Sequence, residues 1–187
     1  SESVIRFVAR NYYKRDRKRV KILDFGCGGG SHTWYLAREG FDVYAFDGSQ
    51  SAVKKVKVRL EQEGLSADLR VRDALELDYR EGFFDCVIDS ATIYANKLQN
   101  ITGMYQKVYE LLKRGGKLFS ISFTAGTTGY GMGRELERNT FCDITEGSLE
   151  GRGIAHFYEE GELEKLLGEI GFRNVVMDTM RFTDREN

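Results

Sequence analysis

An apolar strand that ends in a glycine-rich turn is the feature that most constrains the fold of this 187-residue chain. Residues 22–30 read Ile-Leu-Asp-Phe-Gly-Cys-Gly-Gly-Gly, and a helix is predicted directly afterwards, over residues 31–39. Glycine allows a tight turn and a close approach to a ligand because it has no Cβ. The helix that follows offers its unpaired N–H groups to that ligand. The pattern therefore predicts a nucleotide-cofactor site at the end of the strand.

A second apolar strand, predicted over residues 42–46, ends in an acid. Asp47 follows this strand directly and precedes Gly48 and Ser49. A carboxylate at the end of the second strand of such a unit accepts hydrogen bonds from both hydroxyls of a ribose. Ser49 is a suitable N-cap for a helix predicted over residues 49–63. The two strands together therefore predict one continuous site.

Strands and helices alternate along the chain, which predicts a mostly parallel central sheet with helices on both faces. The predicted helices cover residues 2–13, 31–39, 49–63, 98–113 and 159–168. The predicted strands cover residues 21–25, 42–46, 68–72, 84–89, 117–123 and 172–179. Gly115 and Gly116 are expected to end the fourth helix. We expect a single α/β domain across residues 1–187.

A long segment rich in glycine and charge, residues 124–158, separates the fifth strand from the last helix. Structureless loops of this length are uncommon in compact domains and are often functional. We expect this insert to form a lid over the substrate site. Four glycines within residues 126–133 are candidate hinges for its movement.

The composition limits the partners of the chain. The net charge of −1 gives no overall field that favours nucleic acid or an anionic membrane. No apolar run approaches the roughly 20 residues of a membrane span, and no signal peptide is visible. Cys27, Cys86 and Cys142 lie far apart, which favours a reducing compartment and a cytoplasmic protein. No cluster has metal-ligand spacing, so no metal is predicted, and the oligomeric state stays open.

Two alternative readings of the glycine turn fail on its residues. The dinucleotide-binding fingerprint is G-x-G-x-x-G, and here Ser31 occupies the place of a required glycine. A Walker-type phosphate loop would need Gly-Lys-Ser/Thr after the turn, which is also missing. The turn instead fits G-x-G-x-G, with Asp24 two residues before the first glycine. An NAD(P)-dependent oxidoreductase is therefore the less favoured alternative.

Several segments in order resemble the motifs of class I S-adenosylmethionine-dependent methyltransferases. The segment 23–30 resembles their first motif and residues 46–49 their ribose-binding motif. Residues 72–74, 84–89 and 111–118 resemble the adenine-contacting position, the fourth strand and the following helix–turn–strand. The resemblance covers residues 20–179 and implies a three-layer Rossmann-like fold. It also implies a seven-stranded sheet with an antiparallel last strand, which is not visible in the sequence.

The resemblance implies S-adenosylmethionine as the cofactor. The implied cofactor-binding residues are Asp24, Gly26, Cys27, Gly28, Gly30, Asp47, Gly48, Ser49, Asp73, Ala74, Asp89 and Ser90. Asp47 would bind the ribose, Asp73 the adenine amino group, and Asp89 with Ser90 would lie near the methionine moiety. A structural cap at a strand end is the alternative for Asp24 and Asp89. Cys27 has no local His or acid to activate it, so a catalytic thiol is disfavoured.

The acceptor is less well indicated than the cofactor. His156 is a candidate base or acceptor ligand, and Tyr94 a candidate wall of the acceptor pocket, although both also fit packing roles. His32 either faces the cofactor pocket or packs. Without proline, the Asn/Asp-Pro-Pro-aromatic motif of nucleic-acid and protein amino-group methylases is absent. We therefore expect methyl transfer to a small molecule by in-line displacement, with a non-catalytic S-adenosylmethionine-binding protein or regulatory subunit as the alternative.

Overall fold

The computed structural model describes residues 1–181 and contains a five-stranded parallel sheet. Its strands are β1 (Lys21–Phe25), β2 (Asp42–Asp47), β3 (Asp68–Val71), β4 (Phe84–Ser90) and β5 (Leu112–Ile121), in the order β3-β2-β1-β4-β5. The helices are α1 (Glu2–Tyr12), α2 (Ser31–Arg38), α3 (Gln50–Gln62), α4 (Leu98–Leu111) and α5 (Glu162–Ile170). The predicted α/β class, with a parallel central sheet, is confirmed.

The sheet is covered by helices on both faces, because successive strand residues point to opposite sides. On one face, Ile22 of β1 packs in a cluster with Val8 of α1 and Leu36 of α2. On the other face, Leu23 packs in a cluster with Tyr105 of α4. All four of these aliphatic side chains are fully buried. Burial on both faces explains why the central strands are continuous apolar runs rather than alternating ones.

The strand order reverses between β1 and β4, and this reversal creates the site. Phe25 at the end of β1 is paired with Phe46 of β2 on one side and with Asp89 of β4 on the other. The turns that follow β1, β2 and β4 therefore leave the same edge of the sheet at the same level. Open α/β sheets bind ligands in the crevice at such a switch point.

The prediction that Gly115 and Gly116 end a helix is wrong. The helix α4 ends at Leu111, and β5 begins at the next residue and includes both glycines. The register of β5 against β4 shifts at this place, as in a β-bulge. A Cβ on Gly116 would lie 2.9 Å from the carbonyl oxygen of Lys113 and 3.1 Å from that of Phe84. The glycines thus permit a close approach of two backbone segments within a strand. A glycine pair in a bulged strand and a glycine pair at a helix end look the same in the local sequence.

The strand predicted over residues 172–179 is also wrong, because residues 171–181 contain no regular structure. Phe172 packs against the ring of Tyr109, with 5.2 Å between ring centroids, so its apolar character serves packing. Val176 is 81% exposed and pairs with no strand. Within residues 1–181, the central sheet does not contain the expected antiparallel last strand, and residues 182–187 lie outside the described part.

The insert contains a small sheet of its own. Its strands are β6 (Phe123–Thr124), β7 (Arg134–Glu137), β8 (Thr140–Cys142) and β9 (Ala155–Tyr158), in the order β6-β9-β8-β7. Phe141, Leu149 and Phe157 form an apolar cluster that also includes Tyr94, and Ala91 and Ala95 pack against it. The insert therefore rests on the turn after β4. In the described residues 1–181, the helices are too short or too polar to cross a membrane.

Candidate functional site

An open cleft of about 450 Å³ lies at the carboxyl ends of β1, β2 and β4. This volume falls within the range of small-molecule sites. The wall of the cleft consists of residues 26–32, Asp47, Ser90, Ala91, Thr92 and Ala95. Of the residues that the sequence indicates for cofactor binding, the wall contains Gly26, Cys27, Gly28, Gly30, Asp47 and Ser90. The structure thus brings together the turns after three separate strands.

The glycines of the turn have two different surroundings. A Cβ on Gly26 would lie 2.3 Å from Thr92 Cγ2, and a Cβ on Gly30 would lie 2.4 Å from Val56 Cγ2. A Cβ on Gly28 or Gly29 would meet no atom within 4 Å. The first pair is therefore required by the packing of the protein, whereas the second pair leaves the backbone open toward the cleft.

Asp47 is held at the rim of the cleft by backbone N–H groups. Its Oδ2 accepts a hydrogen bond from the N–H of Gly28 at 2.9 Å, and its Oδ1 accepts one from the N–H of Ser49 at 2.8 Å. Each carboxylate oxygen has two lone pairs, so each can accept one more hydrogen bond. The side chain is thus oriented in advance and retains acceptor capacity toward a diol.

Asp24 lies beneath the turn and not in the wall of the cleft. Its Oδ2 accepts a hydrogen bond from the hydroxyl of Thr33 at 2.6 Å. Burial raises the pKa of Asp24 to about 6, against an ordinary value of 3.8. Burial also raises the pKa of the neighbouring Cys27 thiol to about 12, so this thiol stays protonated near neutral pH. A direct role of Asp24 toward a cofactor stays a prediction.

Asp89 is completely buried at the end of β4. Its Oδ1 accepts hydrogen bonds from the N–H groups of Thr92 at 2.9 Å and Ile93 at 3.2 Å. Its Oδ2 accepts one from the hydroxyl of Ser120 at 2.6 Å. Burial raises the pKa of Asp89 to about 6. This is the geometry of a cap that shapes the following turn, and contact with a cofactor stays a prediction.

The remaining predicted cofactor residues, Gly48, Ser49, Asp73 and Ala74, lie outside the wall of the cleft. Ser49 caps α3, as predicted, by accepting a hydrogen bond from Ala52 N–H at 3.3 Å. Asp73 is exposed, and its Oδ1 accepts one from the N–H of Leu75 at 2.8 Å. Ala74 is packed in the main core. Their part in binding an adenine or a ribose stays a prediction.

Sequence reasoning missed part of the wall, above all the turn after β4. Ala91, Thr92 and Ala95 line the cleft together with Ser90. On the other side, His32 belongs to the wall, which is the first of the two roles that the sequence leaves open for it, together with Gly29 and Ser31. Ala91 has a φ of 64°, which is unusual for a residue other than glycine. For Ala91, Thr92 and Ala95, the only local signal is that they follow a strand adjacent to the glycine-turn strand.

The two candidate catalytic residues lie behind the cleft. His156 is 1% exposed, and its Nδ1 is 2.8 Å from the hydroxyl of Thr140. Its Nε2 has no hydrogen-bond partner and lies 3.6 Å from Glu162 Oε1. Burial lowers the pKa of His156, and Glu162 opposes this effect. The backbone N–H of His156 donates to the carbonyl of Tyr94 at 2.9 Å, which joins the insert to the turn after β4.

Tyr94 is 6% exposed, and its ring packs edge-on against Phe123 with 4.7 Å between centroids. Burial raises its pKa. Neither Tyr94 nor His156 lines the cleft, so their catalytic roles stay predictions. Within residues 1–181, no three His, Cys, Asp or Glu side chains are grouped so that they would hold a metal ion.

A parallel sheet with a glycine-turn cleft at its switch point, and a carboxylate aimed at that cleft, defines an α/β protein of the nucleotide-cofactor-binding class. A family model described as a methyltransferase domain matches residues 22–116, which include this site. The chain belongs to this family, the class I S-adenosylmethionine-dependent methyltransferases.

Comparisons with individual proteins agree with this membership. The ubiquinone biosynthesis O-methyltransferase of Xanthomonas axonopodis pv. citri is 33% identical over 101 residues, or 54% of this chain and 41% of that protein. The structure of a SAM-dependent methyltransferase from Methanosarcina mazei has a TM-score of 0.70 and 24% identity, and the match covers 80% of this chain and 78% of that chain.

A second structure similar to this chain contains ligands. It is the Burkholderia thailandensis 1,6-didemethyltoxoflavin-N1-methyltransferase with bound 1,6-didemethyltoxoflavin and S-adenosylhomocysteine. Its TM-score is 0.64 at 21% identity, with 83% of this chain and 61% of that chain covered. The chain spans less than half the length of the curated relatives that it matches first.

Proposed function

We propose that this chain binds S-adenosylmethionine in the cleft and transfers its methyl group to a small-molecule acceptor by in-line displacement. The observation that carries the proposal is the Asp47 carboxylate, which two backbone N–H groups hold beside open glycine backbone. The Xanthomonas relative is named as an O-methyltransferase of ubiquinone biosynthesis, which supports a small-molecule acceptor.

The residues of the cleft fit such a cofactor. The open space beside Gly28 and Gly29 lets a ligand lie against the backbone. The free lone pairs of Asp47 suit the two hydroxyls of a ribose. The protonated Cys27 thiol adds no charge and no nucleophile next to a methyl donor. The cleft volume of about 450 Å³ suits a nucleoside that carries an amino-acid chain.

In the proposed mechanism, the protein binds and orients, and the cofactor supplies an electrophilic methyl group on a positively charged sulfur. Asp47 holds the ribose end of the cleft. The glycine turn and the first N–H groups of α2 hold polar groups along one wall. Ser90, Ala91 and Ala95 form the opposite wall. Correct alignment of an acceptor atom with the methyl group supplies much of the rate, and such alignment requires rigid walls.

We further propose that the insert, residues 124–158, covers the acceptor side as a lid within a single methyltransferase domain. Its apolar cluster rests on Ala91, Tyr94 and Ala95, two of which line the cleft. An acceptor bound there would contact both the turn after β4 and the insert. The three free, buried cysteines support a cytoplasmic location.

A second candidate function is binding of S-adenosylmethionine without catalysis, as in a regulatory subunit. The burial of His156 and Tyr94 favours this alternative, because neither side chain lines the cleft in this conformation. Acceptors that need no base remain compatible with catalysis.

Isothermal titration calorimetry tests the proposal with S-adenosylmethionine, S-adenosylhomocysteine and NAD⁺. We expect micromolar binding of the first two and none of NAD⁺. Asp47→Ala should weaken binding at least 10-fold, since hydrogen bonds to a charged group contribute about 1.5–3 kcal/mol. Glu61→Ala, a change of an exposed acid on α3, should leave binding unchanged.

The outcomes separate the two candidate functions. A panel of small alcohols and phenols, amines and carbon acids tests the acceptor. Transfer of a labelled methyl group to any of them supports the methyltransferase function. Tight cofactor binding without transfer to any of them favours the binding protein. Absence of cofactor binding contradicts both, and unchanged affinity in Asp47→Ala contradicts the role of Asp47.

A further inference from the structure

Two turns face each other at the base of the cleft, and Thr92 joins them. The glycine turn, residues 26–30, follows β1, and the Ser90–Ala95 turn follows β4. The hydroxyl of Thr92 donates a hydrogen bond to the carbonyl oxygen of Gly26 at 3.2 Å. This contact crosses 66 positions of the sequence and links two walls of the same cleft.

The Thr92 side chain also fills the space above Gly26. A Cβ on Gly26 would lie 2.3 Å from Thr92 Cγ2 and 2.5 Å from Thr92 Oγ1, so the two residues are in direct packing contact. Gly26 has a φ of +72°. Glycine at 26 and a branched side chain at 92 are therefore complementary in shape. The size of the side chain at one position limits the size that the other position accepts.

Thr92 itself is fixed from behind by a buried network. Its N–H donates to Asp89 Oδ1 at 2.9 Å, and the hydroxyl of Ser120 donates to Asp89 Oδ2 at 2.6 Å. The preceding residue, Ala91, has a left-handed φ of 64°. A backbone of this kind persists only when the surrounding contacts impose it. The turn after β4 thus contains a strained residue that its surroundings hold in place. Thr92 is the side chain through which this turn contacts the glycine turn.

We propose that Thr92 is a positioning residue that sets the separation of the two turns and so gives the cleft the shape that binds the methyl donor. This inference rests on the proposed function. Thr92 acts through Gly26 by a hydroxyl and a methyl group, each with a separate contact. Gly26 is the first residue of the glycine turn, and Gly28 in the same turn donates its N–H to Asp47. A displacement of Gly26 would therefore also move Gly28 and Asp47 at the cleft.

The test is the affinity for S-adenosylhomocysteine, measured by calorimetry well below the unfolding temperature, in three variants of Thr92. Thr92→Ala removes both contacts and should weaken binding at least 10-fold. Thr92→Val keeps the shape, removes the hydrogen bond and should weaken binding about 5-fold. Thr92→Ser keeps the hydroxyl and should stay within about 3-fold of the wild type. The matched control is Thr102→Val on α4, whose hydroxyl donates to the Leu98 carbonyl, and it should not change affinity.

A double variant separates positioning from a general loss of structure. Gly26→Ala alone should abolish binding because its new methyl group meets the Thr92 side chain. Adding Thr92→Gly removes all three Thr92 side-chain atoms that lie within 3.0 Å of the new methyl group, so the double variant should bind more tightly than Gly26→Ala alone. If Thr92 only stabilised the fold, the losses of binding free energy in the two single variants would add in the double variant.

The inference is overturned if folded Thr92→Ala and Thr92→Val bind S-adenosylhomocysteine as the wild type does. It is also overturned if Thr92→Ser loses as much affinity as Thr92→Ala, or if the double variant shows no recovery. If Thr92→Ala does not fold, the affinities of Thr92→Val and Thr92→Ser for S-adenosylhomocysteine still decide whether the hydroxyl of Thr92 positions the turns. Failure of the wild type to bind would instead contradict the proposed function, and urea-denaturation stabilities of the same Gly26 and Thr92 variants would then test their contact.

Discussion

Gly30→Ala distinguishes the glycines that the fold requires from those that a ligand requires. Gly30 has a φ of +75°, and an added Cβ would lie 2.4 Å from Val56 Cγ2 and 2.9 Å from Val56 Cγ1. An L-residue in the left-handed region costs about 1–2 kcal/mol. Overpacking of a close-packed contact costs about 1–3 kcal/mol more. We expect the free energy of unfolding to fall by about 2–5 kcal/mol, through the contact between the glycine turn and α3.

Urea denaturation followed by far-UV circular dichroism measures this loss. Val56→Ala removes the two methyl carbons that the new methyl group meets and leaves only the Val56 Cβ, 3.1 Å away, so the double variant should recover part of the overpacking cost of about 1–3 kcal/mol relative to additive losses. Gly29→Ala is the matched control within the same turn. Its Cβ meets nothing within 4 Å, and its φ is not in the left-handed region.

Gly29→Ala should therefore leave the free energy of unfolding within about 1 kcal/mol of the wild type. It should nevertheless weaken cofactor binding, because its methyl group points into open space at the wall of the cleft. The reasoning fails if Gly30→Ala costs less than about 1 kcal/mol, or if Val56→Ala recovers none of the cost. It also fails if Gly29→Ala destabilises the protein as much as Gly30→Ala does.

Three further predictions concern buried charges and the insert. The N–H of Leu98 at the start of α4 donates to Glu137 of the insert at 2.6 Å, so Glu137→Ala should lower the free energy of unfolding by about 1 kcal/mol in urea denaturation. The folded-state pKa of Asp24, about 6, lies above its ordinary 3.8, so the native state binds the extra proton. The stability of the wild type relative to Asp24→Asn should therefore rise by about 2 kcal/mol as the pH falls from 7 to 4, because one pKa unit corresponds to about 1.4 kcal/mol and the last part of the shift is gained only below pH 4. The Glu162 carboxylate raises the pKa of His156 against the effect of burial, so Glu162→Gln should lower that pKa further in an NMR titration of the imidazole ring.

Two of these predictions have a matched control variant. Glu135→Ala, on the same strand as Glu137 but exposed, should not change stability. Glu164→Gln, one exposed residue on α5, should not move the His156 titration. If the difference in the free energy of unfolding between the wild type and Asp24→Asn stays constant from pH 4 to 7, the raised pKa of Asp24 is contradicted. An unchanged or higher pKa of His156 in Glu162→Gln would contradict the electrostatic pairing of these two residues.

The sequence predicts the glycine turn and the carboxylate beside it well, because the signals for both are local. The strand, the glycine turn and the helix of residues 21–38 are consecutive, and each is specified by neighbours within a few positions. Asp47 is found by the same logic one unit later. The parallel pairing of β1 with β2 then brings the two segments together without further information.

Other parts fail for identifiable physical reasons. A glycine pair satisfies either a helix end or a strand bulge, and only the close approach of Gly116 to the backbone of Phe84 shows which applies. Four of the residues 172–177 are apolar, as in a strand, but Phe172 packs on α4 and α5 rather than pairing with a strand. His156 looks available in the sequence and is enclosed by the insert and α5.

The sequence by itself determined the α/β class, the glycine turn and the acid that faces it, because periodic apolar residues and turn residues act over short distances. Only the tertiary structure decided that the wall opposite the glycine turn is Ser90–Ala95, that Thr92 holds Gly26, and that His156 lies behind the cleft. These relations join residues more than 60 positions apart in the chain. They depend on strand order and on side-chain contacts across the sheet edge, which no local pattern encodes.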